Sequence, residues 1–260
     1  MGRFDNYKFR CSALGYIMGS GNELTIANKT HLLEVFIGEI YNTRKEITSK
    51  YFEKGTFMEE DGITLLNQTL YPNNLLVKNK ERRANDYIHG ECDTISPDEI
   101  IYDIKNAWDR FSFGKADLTF NYKWQLKGYC MLWNIHRGRL FYCLNNMPEH
   151  LLCDEERKLF YQHRFTTTED PEYLSLCTEL RKKHNYDDLP VWERFKTWDV
   201  DFTDEDAEKL RSRIILCRKH LNTLHEKHEE QISRNKQLMG LSPSVLLAEY
   251  DKGINATIIT

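Results

Sequence analysis

The chain has 260 residues, of which 40% are hydrophobic and 29% are charged, so the sequence predicts a soluble globular protein with room for one sizeable domain. The formal net charge of −4 at pH 7 does not favour nucleic-acid binding through overall charge, although basic residues gather locally in residues 78–83 (KNKERR). No apolar run is long enough to cross a membrane, and residues 1–19 lack the apolar centre of a signal peptide, so we expect no membrane association.

Seven cysteines are scattered along the chain, and their number is odd. They are Cys11, Cys92, Cys130, Cys143, Cys153, Cys177 and Cys217. No two of them form a CxxC pair, which argues against zinc ribbons and against iron–sulfur clusters held by cysteine. The plain interpretation is reduced thiols, and we expect a cytoplasmic protein.

Two helices are predicted in the first third of the chain. Within residues 28–55, apolar side chains at helical spacing predict a long amphipathic helix; they are Leu32, Leu33, Phe36, Ile40 and Ile47. Residues 55–71 predict a second helix, although Gly62 in its middle is unfavourable for one.

Alternating side chains predict two strands next, in residues 86–96 (DYIHGECDTIS) and 99–108 (EIIYDIKNAW), with the turn-prone sequence SPDE between them. Residues 118–134 predict a helix rich in aromatic side chains, and residues 138–146 predict a further strand. From Pro148 onward the pattern is mostly helical.

The last long helix carries an apolar seam at spacings of three and four residues. Its members are Ala207, Leu210, Ile214, Cys217, Leu221 and Leu224. The seam favours packing of this face on the core of the same molecule, with an oligomer contact as the alternative.

The order of elements predicts an α/β fold with a mixed central sheet and helices on its faces. We expect a core formed by residues 1–147. The helical C-terminal extension, residues 148–260, should pack on this core, so that both belong to a single structural domain.

Charged residues in the two predicted strands point to a chemical site. Asp103 and Lys105 are two residues apart, so both point to the same face of their strand. Asp93 ends the preceding strand, and a short connection brings it beside them. Two converging carboxylates repel each other unless a divalent ion lies between them, and Mg²⁺ favours such oxygen ligands.

A lysine next to such a site steadies an attacking water or the charge that develops on phosphorus. Asp93, Asp103 and Lys105 together therefore suit the hydrolysis of phosphodiesters. The alternative is a buried salt bridge between Asp103 and Lys105 with no chemical role.

The same residues resemble the D…(D/E)xK signature of the PD-(D/E)XK nuclease superfamily, and more particularly its phage lambda-type exonuclease and YqaJ-type viral recombinase group. Four further stretches are similar to that group: FRCSALGYIM, KGTFMEEDGITLL, YKWQLKGYCMLW and GRLFYCLNNMP. The resemblance covers roughly residues 9–148. It departs from the usual pattern at Cys92, where a proline is common, and at Asp103, where many relatives have glutamate.

The resemblance implies a set of metal ligands. Asp93, Asp103 and the backbone carbonyl of Ile104 would hold Mg²⁺, for which Mn²⁺ can substitute. Glu59 of the upstream helix would be a further ligand, directly or through water. Glu60 is the alternative, because successive helix residues point about 100° apart and only one can face the metal.

The resemblance also implies roles around the metal. Lys105 would activate or position water, and Gln125 would orient Lys105 or the phosphate. Arg10 and Ser12 would bind a phosphate at the DNA end, and the aromatic side chain of Tyr129 would lie over the site.

Two of these residues have plain structural alternatives. Ser12 could cap a helix that begins near Ala13. Tyr129 could be an ordinary polar edge of the core, since it shares a helix face with Gln125 four residues earlier.

The function implied by the resemblance is a Mg²⁺-dependent deoxyribonuclease that resects the ends of double-stranded DNA from 5′ to 3′ in phage-type recombination. It would act as a ring-shaped trimer with a single-strand annealing protein, in the host cytoplasm if a phage encodes it. The alternatives are a structure-specific or nicking endonuclease of the same superfamily, or a non-catalytic DNA-binding or assembly protein on the same fold.

Overall fold

The computed structural model describes residues 2–19, 21–43 and 58–239. Its helices are α1 (Leu14–Ile17), α2 (Ile26–Tyr41), α3 (Glu59–Leu70), α4 (Arg110–Gly114), α5 (Phe120–Trp133), α6 (Glu149–Gln162), α7 (Pro171–Lys183) and α8 (Asp204–Leu238). Its strands are β1 (Phe9–Arg10), β2 (Arg83–Ala84), β3 (Ile88–Gly90), β4 (Thr94–Ile95), β5 (Ile100–Asn106), β6 (Arg137–Cys143) and β7 (Phe195–Asp201). Short 3₁₀ helices precede α1 (Cys11–Ala13) and β7 (Val191–Glu193).

The helices predicted within residues 55–71 and 118–134 and the strand predicted within residues 138–146 correspond to α3, α5 and β6. The predicted amphipathic helix corresponds to α2, which the side chain of Thr25 caps by accepting a hydrogen bond from the backbone of Asn28. Ile47, the last residue of that apolar pattern, lies outside the described residues.

The strands form two mixed sheets, with the orders β1-β3-β2 and β4-β5-β6-β7. In the larger sheet β5 and β6 are parallel, and the outer strands β4 and β7 run antiparallel to them. The prediction of one strand over residues 86–96 is wrong, because the chain leaves the small sheet after Gly90 and joins the large sheet at Thr94. Asp93 lies in this crossing.

The C-terminal part is mostly helical, but it also contributes β7 to the large sheet, which the sequence pattern did not predict. β7 pairs with β6, and two acidic side chains of β7 face arginines across the ladder. Asp201 contacts Arg137 at 3.3 Å, and Asp199 forms two hydrogen bonds with Arg139. The acidic run that begins at Asp199 is therefore partly paired within the sheet.

The two faces of β5 pack against different helices. Ile100, Tyr102 and Ile104 lie in a buried cluster with side chains of α3. Ile101 lies in the main core together with residues of α5, such as Trp124 and Leu126. Successive side chains of a strand point to opposite faces. Asp103 and Lys105 share the face of Ile101, so their side chains point toward α5.

Helix α8 packs on the core with the apolar seam predicted for it. Ala207, Leu210, Ile214, Cys217 and Leu221 are buried, so the interpretation as core packing is confirmed. The helix also holds the N-terminal segment through polar contacts of Arg218 and Asn222, described below. No helix in the described ranges combines the length and hydropathy that a membrane span requires.

Candidate active site

The centre of the site is the C-terminal half of β5. β4 pairs with β5 only as far as Thr94 opposite Tyr102, so beyond Tyr102 no strand of the described residues pairs with this edge of β5. The side chain of Asp93 occupies that edge, where its Oδ2 accepts a hydrogen bond from the backbone N–H of Ile104 at 2.5 Å. The strand crossing therefore places Asp93 level with Asp103.

Asp103 is held by two donors on the face of β5 that α5 covers. Its Oδ1 accepts a hydrogen bond from Nε2 of Gln125 at 2.9 Å, and its Oδ2 lies 2.8 Å from the ammonium of Lys105. The Asp103 side chain is only 1% exposed, whereas that of Lys105 is 27% exposed. A substrate in solvent can therefore reach the lysine beside a buried carboxylate.

The carboxylates of Asp93 and Asp103 repel each other in a site with little water. Burial raises the pKa of Asp93, and the charge of Asp103 raises it further, while Lys105 and the Ile104 N–H oppose the rise. Burial alone would lower the pKa of Lys105, but the charges of Asp103 and Asp93 raise it overall. Lys105 is therefore an ammonium that stabilises the two acids.

Glu59 begins α3 on the other face of the sheet, where it forms an ion pair of 2.7 Å with Lys78. Its charge also acts on Asp93, so it lies near the same edge of β5. Glu60, the alternative ligand, is exposed. Lys78 was not predicted as a site residue, although it belongs to the basic run at residues 78–83, which is the signal that could have indicated it.

Helix α3 approaches β5 closely enough to bring Glu59 to this edge. A Cβ atom on Gly62 would lie 2.5 Å from Cγ2 of Ile104, so only glycine allows the helix to pack at this distance. Asn106 at the end of β5 donates a hydrogen bond from Nδ2 to the carbonyl of Met58 at 3.0 Å. Its Oδ1 accepts a hydrogen bond from Asn145 at 2.9 Å, which fixes the orientation of the amide.

The donor set at the edge of β5 fits a hard divalent cation. Asp93, Asp103 and the Ile104 carbonyl would supply oxygen ligands to such an ion, and Mg²⁺ commonly takes only one or two protein carboxylates and completes its shell with water. In the described part of the chain no three histidine, cysteine or acidic side chains form a ready cluster for a metal. The Glu59 carboxylate accepts a hydrogen bond from Lys78 at 2.7 Å.

Arg10, Ser12 and Tyr129 line one pocket of about 380 Å³, next to the carboxylates. Ser12 belongs to the 3₁₀ helix and caps no helix there, so the capping alternative is wrong. Arg82 and His89 line the same pocket, and Nη2 of Arg82 lies 2.8 Å from Nδ1 of His89. The sequence analysis did not select these two residues, although Arg82 also belongs to the run at residues 78–83.

Gln125 connects this pocket with the carboxylate pair. Its Nε2 donates both to Asp103 and to the hydroxyl of Tyr129, each at 2.9 Å. The ring of Tyr129 is buried in the core, and the residue also lines the pocket. Tyr129 therefore both packs in the core and lies next to the candidate site. Tyr122, which precedes Gln125 by three residues on the same helix face, lies 5.5 Å from the ammonium of Lys105 and was not predicted.

Comparison with known proteins supports the fold. No family model matches the chain, and a search of curated proteins finds no match. Among solved structures, a phage-related exonuclease from Haemophilus somnus 129PT is 24% identical, with a TM-score of 0.68 over 86% of this chain and 97% of its own. An alkaline exonuclease from Laribacter hongkongensis is 9% identical, with a TM-score of 0.56 over 88% of this chain and 95% of its own.

The Laribacter enzyme in complex with dAMP matches similarly, with 10% identity and a TM-score of 0.55 over 87% of this chain and 94% of that one. Each match spans nearly the whole of the compared structure. The predicted fold class is therefore confirmed: the chain has the fold of the phage-type exonucleases.

Proposed function

We propose that the protein is a Mg²⁺-dependent deoxyribonuclease that degrades double-stranded DNA from its ends, in the 5′-to-3′ direction, in phage-type recombination. The observation that carries the proposal is the convergence of Asp93, Asp103, Lys105 and Gln125 at one edge of β5. This convergence occurs in a fold shared with two enzymes named as exonucleases.

In this proposal Asp93, Asp103 and the Ile104 carbonyl hold Mg²⁺, with Mn²⁺ as a substitute, and Glu59 contributes directly or through water. When bound there, Mg²⁺ would supply Lewis-acid chemistry, lowering the pKa of a water and polarising the phosphate. Lys78 holds Oε2 of Glu59, so direct ligation through that oxygen requires this ion pair to open, whereas ligation through Oε1 does not.

The side chains around the metal position the reacting groups. Lys105 holds the attacking water and stabilises the charge that develops on the phosphate oxygens. Water oxygen bonds to phosphorus while the bond to the leaving sugar oxygen breaks, and that oxygen takes up a proton. Gln125 keeps Asp103 in place during the reaction, because its amide is anchored at the Tyr129 hydroxyl as well.

The pocket next to the carboxylates serves the DNA end. Arg10 and Arg82 supply positive charge, and the hydroxyl of Ser12 can donate a hydrogen bond to a phosphate oxygen. The trimeric assembly and the single-strand annealing partner belong to the proposal through the resemblance to the phage exonuclease group.

The test compares end-labelled linear duplex with closed circular DNA in the presence of Mg²⁺. We expect rapid loss of the linear duplex, intact circles, and a loss of at least about a hundredfold in rate for Asp103→Asn and for Lys105→Ala. Cleavage of circles at the same rate would reject exonuclease action. If the wild type and both variants are equally inert with Mg²⁺ and with Mn²⁺, the protein is a binding module.

A further inference from the structure

A groove of about 820 Å³ lies outside the site described above, between α4 and the end of α7. Four basic side chains line it: Arg110, Arg181, Lys182 and Lys183. Glu179 and Asp188 also line it, so the lining carries a net positive charge in a protein whose overall charge is negative.

The basic side chains differ in how far their charge is already compensated. Arg181 is bound by Glu149 and Glu156, and Arg110 lies 3.7 Å from the exposed Asp188. Lys182 and Lys183 are exposed and form no ion pair within the described residues, although Lys183 is near enough to Asp109 to help lower the pKa of that carboxyl. These two lysines are therefore available to an anion from solution.

Basic residues in the last turn of α7 also interact favourably with the helix dipole, which would explain them without a ligand. The dipole does not explain why Arg110, from a different element, lines the same groove. Arg110 lies over the ring of Tyr186 at 5.3 Å, and Tyr186 is fully buried. This contact places the guanidinium at the groove, although the Arg110 side chain is 52% exposed.

A short chain of contacts connects the groove with the candidate active site. Lys105 is paired with Tyr142 in the β5–β6 register. Tyr142 and Phe113 pack against the buried cluster that contains Tyr186. Arg110 follows Lys105 by five residues, so their Cα atoms lie no more than about 17 Å apart. About five nucleotides along one strand of a duplex cover the same distance.

Phe111, next to Arg110, is 71% exposed although it is a large apolar side chain. In α4 this exposed ring directly follows Arg110, which lines the groove, and exposed aromatic rings together with basic side chains bind single-stranded nucleic acid, with bases stacked on the ring and phosphates near the cations. A duplex offers its phosphates but no free base faces. The combination therefore favours a single strand over a duplex.

We propose that this groove binds a single-stranded segment of the nucleic-acid substrate, with Lys182 and Lys183 at its phosphates and Phe111 under one of its bases. The inference rests on the proposed nuclease function for the identity of the ligand, but its test does not depend on hydrolysis.

The test measures binding of a short fluorescein-labelled oligothymidylate by fluorescence anisotropy, in EDTA, at salt concentrations from about 50 to about 200 mM. The variant Lys182→Gln/Lys183→Gln should lower the slope of log K against log salt by about 1.4, since each lost contact with a single strand contributes about 0.7. Phe111→Ala should weaken binding about fivefold to about 150-fold.

The controls match these variants in chemistry and lie outside the groove. Lys219→Gln/Lys227→Gln removes two exposed lysines of α8, and Tyr161→Ala removes an aromatic ring that is also 71% exposed. Both controls should bind like the wild type.

Three outcomes are informative. If the groove variants bind the oligonucleotide with the affinity and salt slope of the controls, the proposal is wrong. If the lysine variant weakens duplex binding equally and Phe111→Ala has no effect, a duplex occupies the groove and the single-strand assignment is wrong. If the expected losses occur in EDTA but the wild type hydrolyses no DNA with Mg²⁺, the groove stands and the proposed nuclease function fails.

Discussion

At the scale of single residues, the candidate site depends on one amide. Gln125 donates both to the buried Asp103 and to the Tyr129 hydroxyl, so it connects the carboxylates with the pocket that contains Arg10 and Ser12. Without this donor, Oδ1 of Asp103 would lose its hydrogen bond in a place that water barely reaches. We therefore regard Gln125 as a positioning residue.

The variant Gln125→Met keeps the size of the side chain but removes the donor. Because hydrogen bonds to charged groups are worth about 1.5–3 kcal/mol, we expect kcat on linear duplex to fall about 10- to 100-fold, with a smaller change in KM. Tyr129→Phe keeps the bond to Asp103 and should lose less than about tenfold. Steady-state kinetics with labelled duplex measures both, and a wild-type kcat for Gln125→Met would contradict the role.

Single residues also show how far sequence reasoning reaches. The two-residue spacing of Asp103 and Lys105 predicted a shared strand face, and both lie on the α5 side of β5. The same reasoning could not predict that Glu59 pairs with Lys78, because their separation of 19 residues has no periodicity that indicates contact.

At the scale of elements, the decisive contact is that of α3 with β5. Gly62 weakened the helix prediction, since glycine costs about 1 kcal/mol in a helix relative to alanine. In the structure its missing side chain lets the helix lie against Ile104, and this places Glu59 and the Met58 carbonyl near the end of β5. Gly62 therefore disfavours the helix but allows it to pack closely against β5.

We expect Gly62→Ala to disturb this contact. The gain of about 1 kcal/mol in helix propensity is offset by overpacking of about 1–3 kcal/mol, because the new methyl group would lie 2.5 Å from Ile104. Gly114→Ala is the matched control, since a Cβ there meets nothing within 4 Å. Urea titration should give a lower free energy of unfolding for Gly62→Ala than for Gly114→Ala. Nuclease assays should give a lower rate for Gly62→Ala as well. Equal stability and equal activity of the two variants would contradict the role of Gly62 in this contact.

At the scale of the whole molecule, the C-terminal region is built into the core. The main core cluster contains residues from Phe4 to Leu221, and β7 extends the sheet that carries Asp103. In addition, Arg218 donates to the carbonyl of Tyr7 at 2.9 Å, and Asn222 accepts from the backbone of Phe4 at 2.8 Å. These contacts join the last helix to the segment that carries Arg10.

We predicted a single structural domain in which residues 148–260 pack on residues 1–147. Such a domain should unfold in one cooperative transition. Urea titrations followed by far-UV circular dichroism and by tryptophan fluorescence should give the same midpoint, because the shared core is lost as a unit. Two separated midpoints would show that the C-terminal part folds independently of the core.

Local sequence patterns were sufficient to predict the main elements and the chemical character of the site. Periodicity is a local property, so helical spacing located α2, α3, α5 and α8, and the position of acids and a lysine in a strand predicted a site for a cation and a phosphate.

The tertiary fold set which of these parts come into contact. It divided residues 86–96 between two sheets and so placed Asp93 at the open edge of β5. It made residues 195–201 a strand, because β6 offered a partner and two arginines for the aspartates of that segment. It also brought Arg110 and Lys182 to one groove. Contacts of this kind depend on residues far apart in the chain, and no local pattern encodes them.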